Sequence, residues 1–181
     1  MDHIGKYEII RKLGDGATSE VYLCHDPFNN RDVAVKVVVE ERIRDAEGGK
    51  LIKKLFITEA SLAGKLLHPH IAQIYDAVVG DKMNYIVMEY VPGGTLERFC
   101  HPATLMTLDK IVEIVFKCTR ALDFAHKLGV THRDIKPANI LLSGQTDIKI
   151  SDFGAALMTS TDMTQVTGIG SPAYMSPQQI K

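Results

Sequence analysis

The tripeptide Pro92-Gly93-Gly94 divides the chain into two stretches of different periodicity. Neither a strand nor a helix runs comfortably through Pro-Gly-Gly, because proline removes a backbone donor and paired glycines raise the entropic cost of order. Before the break, apolar residues come in short β-prone runs. Tyr7–Gly14 and Glu20–His25 flank a Gly-rich turn, Asp26-Pro27-Phe28-Asn29-Asn30 supplies the next turn, and Val33–Val39 reads as a third strand. Ile71–Val79 and Met83–Tyr90 read as two more strands around the hairpin signal Gly80-Asp81. Between these sets, Ile52 to Leu67 is spaced as a helix that stops at His68-Pro69. After the break, Leu108 to Leu128 predicts one long helix closed by Gly129, which suits the left-handed position past a helix C-terminus. The expectation is an α+β chain: a small β-rich lobe with one helix, a Gly-rich hinge and a helical lobe.

The long helix adds a constraint. Ile111, Val112, Ile114, Val115, Phe116, Cys118, Ala121, Leu122, Phe124, Ala125 and Leu128 spread around nearly its whole circumference. A helix apolar all round needs cover all round. Too few residues follow to supply it, so the sequence implies packing partners that it does not itself contain.

Composition removes several classes of function. The chain has 181 residues, 45% hydrophobic and 24% charged, with a net charge of -1. That is the balance of a soluble globular protein and gives no electrostatic reason for a nucleic-acid or membrane partner. No apolar run approaches the roughly 18–20 residues of a membrane span. Met1-Asp2-His3-Ile4-Gly5-Lys6 lacks the basic start and apolar stretch of a signal peptide. A cytoplasmic location is the resulting expectation. Cys24, Cys100 and Cys118 are sparse and form no CxxC, which suits reduced thiols. His68 and His70 flank Pro69, and a metal pair is one reading of them. With no other ligand cluster nearby, a turn between a helix and a strand is favoured.

Three stretches carry candidate chemistry. Lys36 interrupts Val33-Ala34-Val35 and Val37-Val38-Val39. An ammonium buried there needs a partner. Either it snorkels from an edge strand or it is aimed at a phosphate or carboxylate in a cleft. In Gly14-Asp15-Gly16-Ala17-Thr18-Ser19-Glu20-Val21, two glycines between strands let the backbone approach phosphates, and they equally suit a plain hairpin turn. A strand follows rather than a helix, which argues against a dinucleotide site, and the Gly-Lys-Ser/Thr of a P-loop is missing. Directly after the long helix comes His132-Arg133-Asp134-Ile135-Lys136-Pro137-Ala138-Asn139, and Asp152-Phe153-Gly154 follows. Two carboxylates and an amide oxygen so spaced could hold Mg²⁺, which prefers oxygen ligands and works beside substrate phosphates.

Taken together, in this order and on these elements, the stretches resemble the eukaryotic-type (Hanks-type) serine/threonine protein kinase family. The resemblance runs from about Tyr7 to the end and includes Ser171-Pro172-Ala173-Tyr174-Met175-Ser176-Pro177, similar to the end of an activation segment. The family implies a bilobal fold, with residues 1–88 as N-lobe, 89–94 as hinge and 95–181 as the first part of a C-lobe whose later helices would cover the long helix. It implies ATP and Mg²⁺ (or Mn²⁺) as cofactors and protein substrates as partners.

The resemblance also implies roles. Gly14, Gly16 and Val21 would cover ATP. Lys36 would hold the α and β phosphates, with Glu59 on the first helix as its ion-pair partner; Glu47 lies upstream. Val21, Ala34 and Leu141 would sandwich adenine, Met88 would be the gatekeeper, and the backbone of Glu89 and Val91 would bind the adenine edge. Asp134 would accept the proton of the attacking hydroxyl, Lys136 would neutralise the γ-phosphate, and Asn139 and Asp152 would hold the metal. Phosphoryl transfer asks for positioning and charge neutralisation of this kind.

Lys136 and Ser171 resemble the serine/threonine branch, in which Ser171 would contact the catalytic aspartate and lysine. Thr159, Ser160, Thr161, Thr164 and Thr167 form a hydroxyl-rich run, and a phosphate on Thr164 or Thr167 would gain charge-assisted bonds to Arg133. Self-association for autophosphorylation in trans is implied as well. The run from Thr167-Gly168 to Pro177 looks like bacterial members of the family. Two departures stand out: Ser19 replaces the third glycine, and Gln178 stands where the family usually has a glutamate. The competing readings are a pseudokinase or ATP-binding scaffold, and a small-molecule phosphotransferase of related fold.

Overall fold

A computed structural model describes residues 2–16, 18–39, 46–80, 83–155, 157–158 and 171–180. The chain forms two compact units, residues 1–65 with 73–90, and residues 66–72 with 91–181.

The first unit is an antiparallel sheet with a helix. Its strands are β1 (His3–Ile4), β2 (Tyr7–Asp15), β3 (Ser19–Asp26), β4 (Arg31–Val38), β5 (Ile74–Val78) and β6 (Tyr85–Glu89), in the order β1-β2-β3-β4-β6-β5. Alternation along β4 sorts its side chains onto two faces. Val33 and Val35 join Ile4, Tyr7, Cys24, Tyr85 and Val87 in one buried cluster. Ala34 joins Ile86, Met88 and Phe56 in another. The Val/Ala run is therefore buried on both faces where the sheet is central, as its composition implies. The turn before β4 is built by Asp26, whose buried carboxylate accepts from the Phe28 and Asn29 backbone N–H groups and from Asn29 Nδ2.

Helix α1 spans Ala46–Ala60, and so starts and ends earlier than its spacing predicts. Gly48 and Gly49 lower the propensity of its first turns and hide the start from a reading of the sequence. After Ala60 the backbone tightens, with Leu62 N–H donating to Glu59 O and Ala63 N–H to Ala60 O, and Gly64 turns left-handed at φ +71°. The strands predicted after His70 are shorter too. Ile71 pairs not with β6 but with Ile150, in an isolated parallel bridge within the second unit. Asp81 of the predicted hairpin turn lies outside the described residues.

The second unit is built on α2, Leu108–Lys127, which ends as predicted with Gly129 at φ +75°. Strand β7 (Val130–Thr131) pairs with β10 (Leu157–Met158), and β8 (Ile140–Leu142) pairs with β9 (Ile148–Ile150). His70 and Ala72 extend the second pair through backbone bonds to Ile150, while the His68 ring lies 5.1 Å from Phe124 of α2. The histidine pair thus anchors a connecting segment. Among the described residues no group of three His, Cys, Asp or Glu could hold a metal ion. One side of α2, comprising Ile114, Cys118, Ala121 and Ala125, is buried. Val112, Val115 and Phe116 are exposed, Phe116 by 62%. The short helix α3 (Pro177–Ile180) closes the described residues, none of whose helices is long and apolar enough to cross a membrane.

Candidate active site

The first unit holds the glycine-rich turn and the buried lysine. Gly14 faces Val21 across the β2–β3 ladder beside a register shift, and Gly16 N–H donates to Ser19 O at 2.8 Å. Lys12 spans the hairpin, 2.5 Å from Asp15 and 2.8 Å from Glu20. These hydrogen bonds to Asp15 and Glu20 raise the Lys12 pKa.

Lys36 follows Ala34 by two positions and so shares its side of β4, the side on which Phe56 of α1 packs. Glu59 is three residues beyond Phe56 and shares its helix face. The two periodicities meet in an ion pair: Lys36 Nζ lies 2.9 Å from Glu59 Oε2, with the Glu59 side chain only 3% exposed. Glu47 lies within α1, but its side chain is outside what the structure describes. Ala34 pairs with Met88 across β4 and β6, and both are buried. Glu89 N–H donates to Gln73 O at 2.8 Å, and the Glu89 carboxylate accepts from Gln73 N–H at 3.3 Å.

The second unit holds the remaining candidates, among them the buried Val91 and Leu141, which is half-buried on β8 opposite Lys149. At the centre of the others stands Asp134. Its Oδ1 accepts from Ser171 N–H at 2.9 Å, and its Oδ2 lies 2.9 Å from Lys136 Nζ and 3.1 Å from Asn139 Nδ2. Lys136 Nζ also donates to Ser171 Oγ at 2.7 Å. Burial alone would raise the Asp134 pKa, but the bonds and charge of Lys136 and the Ser171 N–H outweigh it and hold the carboxyl below its usual range. Asn139 Nδ2 donates to Asp134 O at 2.8 Å as well, leaving Oδ1 as the atom this amide can offer a ligand. Ser151 N–H donates to Asn139 O, which sets Asp152 one residue from that contact; Asp152 is half-buried at φ +62°.

Gln179 escapes a reading of the sequence, and His132, though within the candidate stretch, receives no role there. His132 is buried, lies with its ring centroid 4.4 Å from that of Phe153 and tilted by 55°, and places Nε2 3.0 Å from Ser151 O. Its Nδ1 accepts from Asp134 N–H at 3.2 Å, so this network assigns the proton to Nε2. Burial is the main cause of its lowered pKa, and the ring is neutral. Gln179, beside the exposed Gln178, donates from Nε2 to Arg133 O at 2.6 Å. No spacing rule links Gln179 to a loop so distant in sequence. Thr159, Ser160, Thr161, Thr164 and Thr167 lie outside the described residues.

Comparison with known proteins supplies an independent view. The family model for the protein kinase domain matches residues 7–181. The chain is 40% identical over 183 residues to the serine/threonine-protein kinase PknB of Mycobacterium leprae, covering 97% of this chain and 29% of that protein. It is 39% identical over 176 residues to a probable serine/threonine-protein kinase of Clostridium acetobutylicum, covering 96% of this chain and 26% of the relative. It is 37% identical over 179 residues to the serine/threonine-protein kinase PrkC of Bacillus subtilis, covering 98% of this chain and 27% of PrkC. The chain spans little more than a quarter of the length of these relatives.

Proposed function

The chain belongs to the protein kinase domain family, and from that premise we propose that it transfers the γ-phosphate of ATP to serine or threonine hydroxyls of protein substrates. The observation that carries this reading is the Asp134 carboxylate. One oxygen is fixed by a backbone N–H and the other faces a lysine and an asparagine amide. A carboxylate kept ionised and oriented in this way can take a proton. In the reaction, the hydroxyl oxygen attacks the γ-phosphorus, the bond from that phosphorus to the bridging oxygen breaks, ADP leaves, and the hydroxyl proton passes to Asp134. Lys136 offsets charge on the phosphoryl group in flight.

Lys36, held by Glu59, takes the α and β phosphates under Gly14 and Gly16, and Val21, Ala34, Met88, Glu89, Val91 and Leu141 receive the adenine. Asn139 Oδ1 and the Asp152 carboxylate fit Mg²⁺. They are hard oxygen donors of the kind that ion prefers, and they would hold it. When bound, the metal neutralises phosphate charge. In the same reading residues 1–88, 89–94 and 95–181 act as N-lobe, hinge and partial C-lobe. Phosphorylation in trans at Thr164 or Thr167 would recruit Arg133. The contact of Ser171 with both Lys136 and Asp134 supports the hydroxyl rather than the phenol branch.

The test incubates the protein with Mg-ATP and a generic basic protein, with Asp134→Ala as control. Transfer that disappears in the control supports the proposal. ATP binding without transfer, in the parent as in the control, would assign the chain to the nucleotide-binding scaffolds.

A further inference from the structure

The peptide that joins Arg133 to Asp134 is held at both of its polar ends. Its carbonyl accepts from Gln179 Nε2 at 2.6 Å, and its N–H donates to His132 Nδ1 at 3.2 Å. Arg133 sits at φ +69°, a left-handed conformation that a residue with a Cβ keeps only when its surroundings enforce it. Rotation of this peptide plane would swing the Asp134 side chain away from Ser171 and Lys136.

Gln179 is itself anchored. Its Oε1 accepts from Ser176 N–H at 3.2 Å and from Ser176 Oγ at 3.3 Å. It belongs to the same stretch, 171–180, that delivers the Ser171 N–H to Asp134 Oδ1 at 2.9 Å. Three bonds thus tie this stretch to the catalytic loop: one on the Asp134 carboxylate, one from Lys136 to Ser171 Oγ, and one on the peptide before Asp134. The neighbouring Gln178, at the position where the sequence departs from its family, is exposed.

We propose that Gln179 is a positioning residue, which locks the Arg133–Asp134 peptide and so aims the Asp134 carboxylate at the attacking hydroxyl. The inference rests on the reading of Asp134 as the proton acceptor, although the lock itself is a property of the fold. The side-chain amide is suited to the task because it presents a donor to Arg133 O and an acceptor to Ser176 together.

Two variants separate these parts. Gln179→Glu keeps the size and the acceptor but sets a carboxylate against the Arg133 carbonyl. Gln179→Met keeps the volume and removes both the donor and the acceptor. Phosphate-transfer kinetics and backbone amide exchange at Asp134 are measured on each, with the Leu142 amide as an internal reference. Misplacement of the base should lower kcat roughly 10- to 100-fold with the KM for ATP unchanged. Exchange at Asp134 should quicken in both variants while that at Leu142 stays constant. A kcat equal to the parent's, or exchange at Asp134 unaltered relative to Leu142, overturns the proposal. If the parent itself transfers no phosphate, the functional reading fails and exchange alone decides: quickening at Asp134 sustains the lock, and its absence removes it. Should Gln179→Met fail to fold, the near-isosteric Gln179→Glu carries the test.

Discussion

Lys36 and Glu59 come within 2.9 Å of each other, with the glutamate side chain 3% exposed and the lysine 18%. Removing the cation while leaving a carboxylate at that depth is worse than removing both charges. Lys36→Met should therefore cost about 3–5 kcal/mol of folding stability, and Glu59→Gln less. The double change Lys36→Met with Glu59→Leu should recover much of the loss. Urea unfolding of the three variants checks this. A double variant as unstable as Lys36→Met alone would show that the pair is held by packing rather than by charge. Phosphate transfer should be lost in all three.

The neutral, buried His132 makes stability depend on pH. Its pKa is lowered from the ordinary 6.5, chiefly by burial. His68 is lowered too, by burial first and then by the charges of His70, Arg120 and Lys149. As pH falls below 6.5, the unfolded chain takes up protons that the folded chain refuses, so stability falls. Asp134 adds a loss at lower pH, because its depressed carboxyl contributes stability that disappears as pH drops through 3.8 toward the folded value. In His132→Phe the slope of stability against pH just below 6.5 should flatten, since only His68 then contributes of these two. An unaltered slope, read from denaturant midpoints, would mean that His132 titrates normally in the folded state.

How far the site is legible in the sequence follows from how local its causes are. The Lys36–Glu59 pair, which the family resemblance implies, rests on a two-residue strand period and a three-residue helix spacing. The long helix with its left-handed Gly129 is local as well. The limits of α1 are less so, because Gly48 and Gly49 are helical against their propensity and Gly64 ends the following turns. Residues 66–72 join the second unit because Ile71 and Ala72 pair with Ile150, a partner far along the chain. The grip of Gln179 on the peptide before Asp134 is invisible for the same reason, since its partner Arg133 is 46 residues away, whereas His132 holds that peptide from only two residues before Asp134.

Thiol chemistry should distinguish the three cysteines. Burial raises both Cys24 and Cys118 to about 11, whereas Cys100 is exposed. The thiolate is the reactive form. Near neutral pH, iodoacetamide should therefore modify Cys100 alone in the folded protein and all three in denaturant, as mass spectrometry of the intact chain would report. Rapid labelling of Cys118 under native conditions would mean that α2 opens from the residues packed on its buried side.

Gly93 and Gly94 are adjacent, but they should respond differently to a methyl group. A Cβ at Gly93 would lie 1.9 Å from the Leu142 carbonyl oxygen and 2.7 Å from its carbon, both backbone atoms. Leu142 is fully buried, and its N–H donates to Gly94 O at 2.9 Å. The contact cannot be relieved by a side-chain rotation, so Gly93→Ala must displace β8, which begins directly after Asn139. Overpacking of this kind costs about 1–3 kcal/mol, or more where the backbone is pinned. At Gly94 the nearest atom to a Cβ is Arg98 Nη1 at 3.9 Å, the end of a flexible side chain, and the expense is the left-handed φ of +72°, about 1–2 kcal/mol. Thermal unfolding should rank Gly93→Ala as the more damaging, and its phosphate transfer should fall further than its stability explains, because β8 follows directly on Asn139. The reverse ranking would show that the 93–142 approach relaxes without disturbing β8.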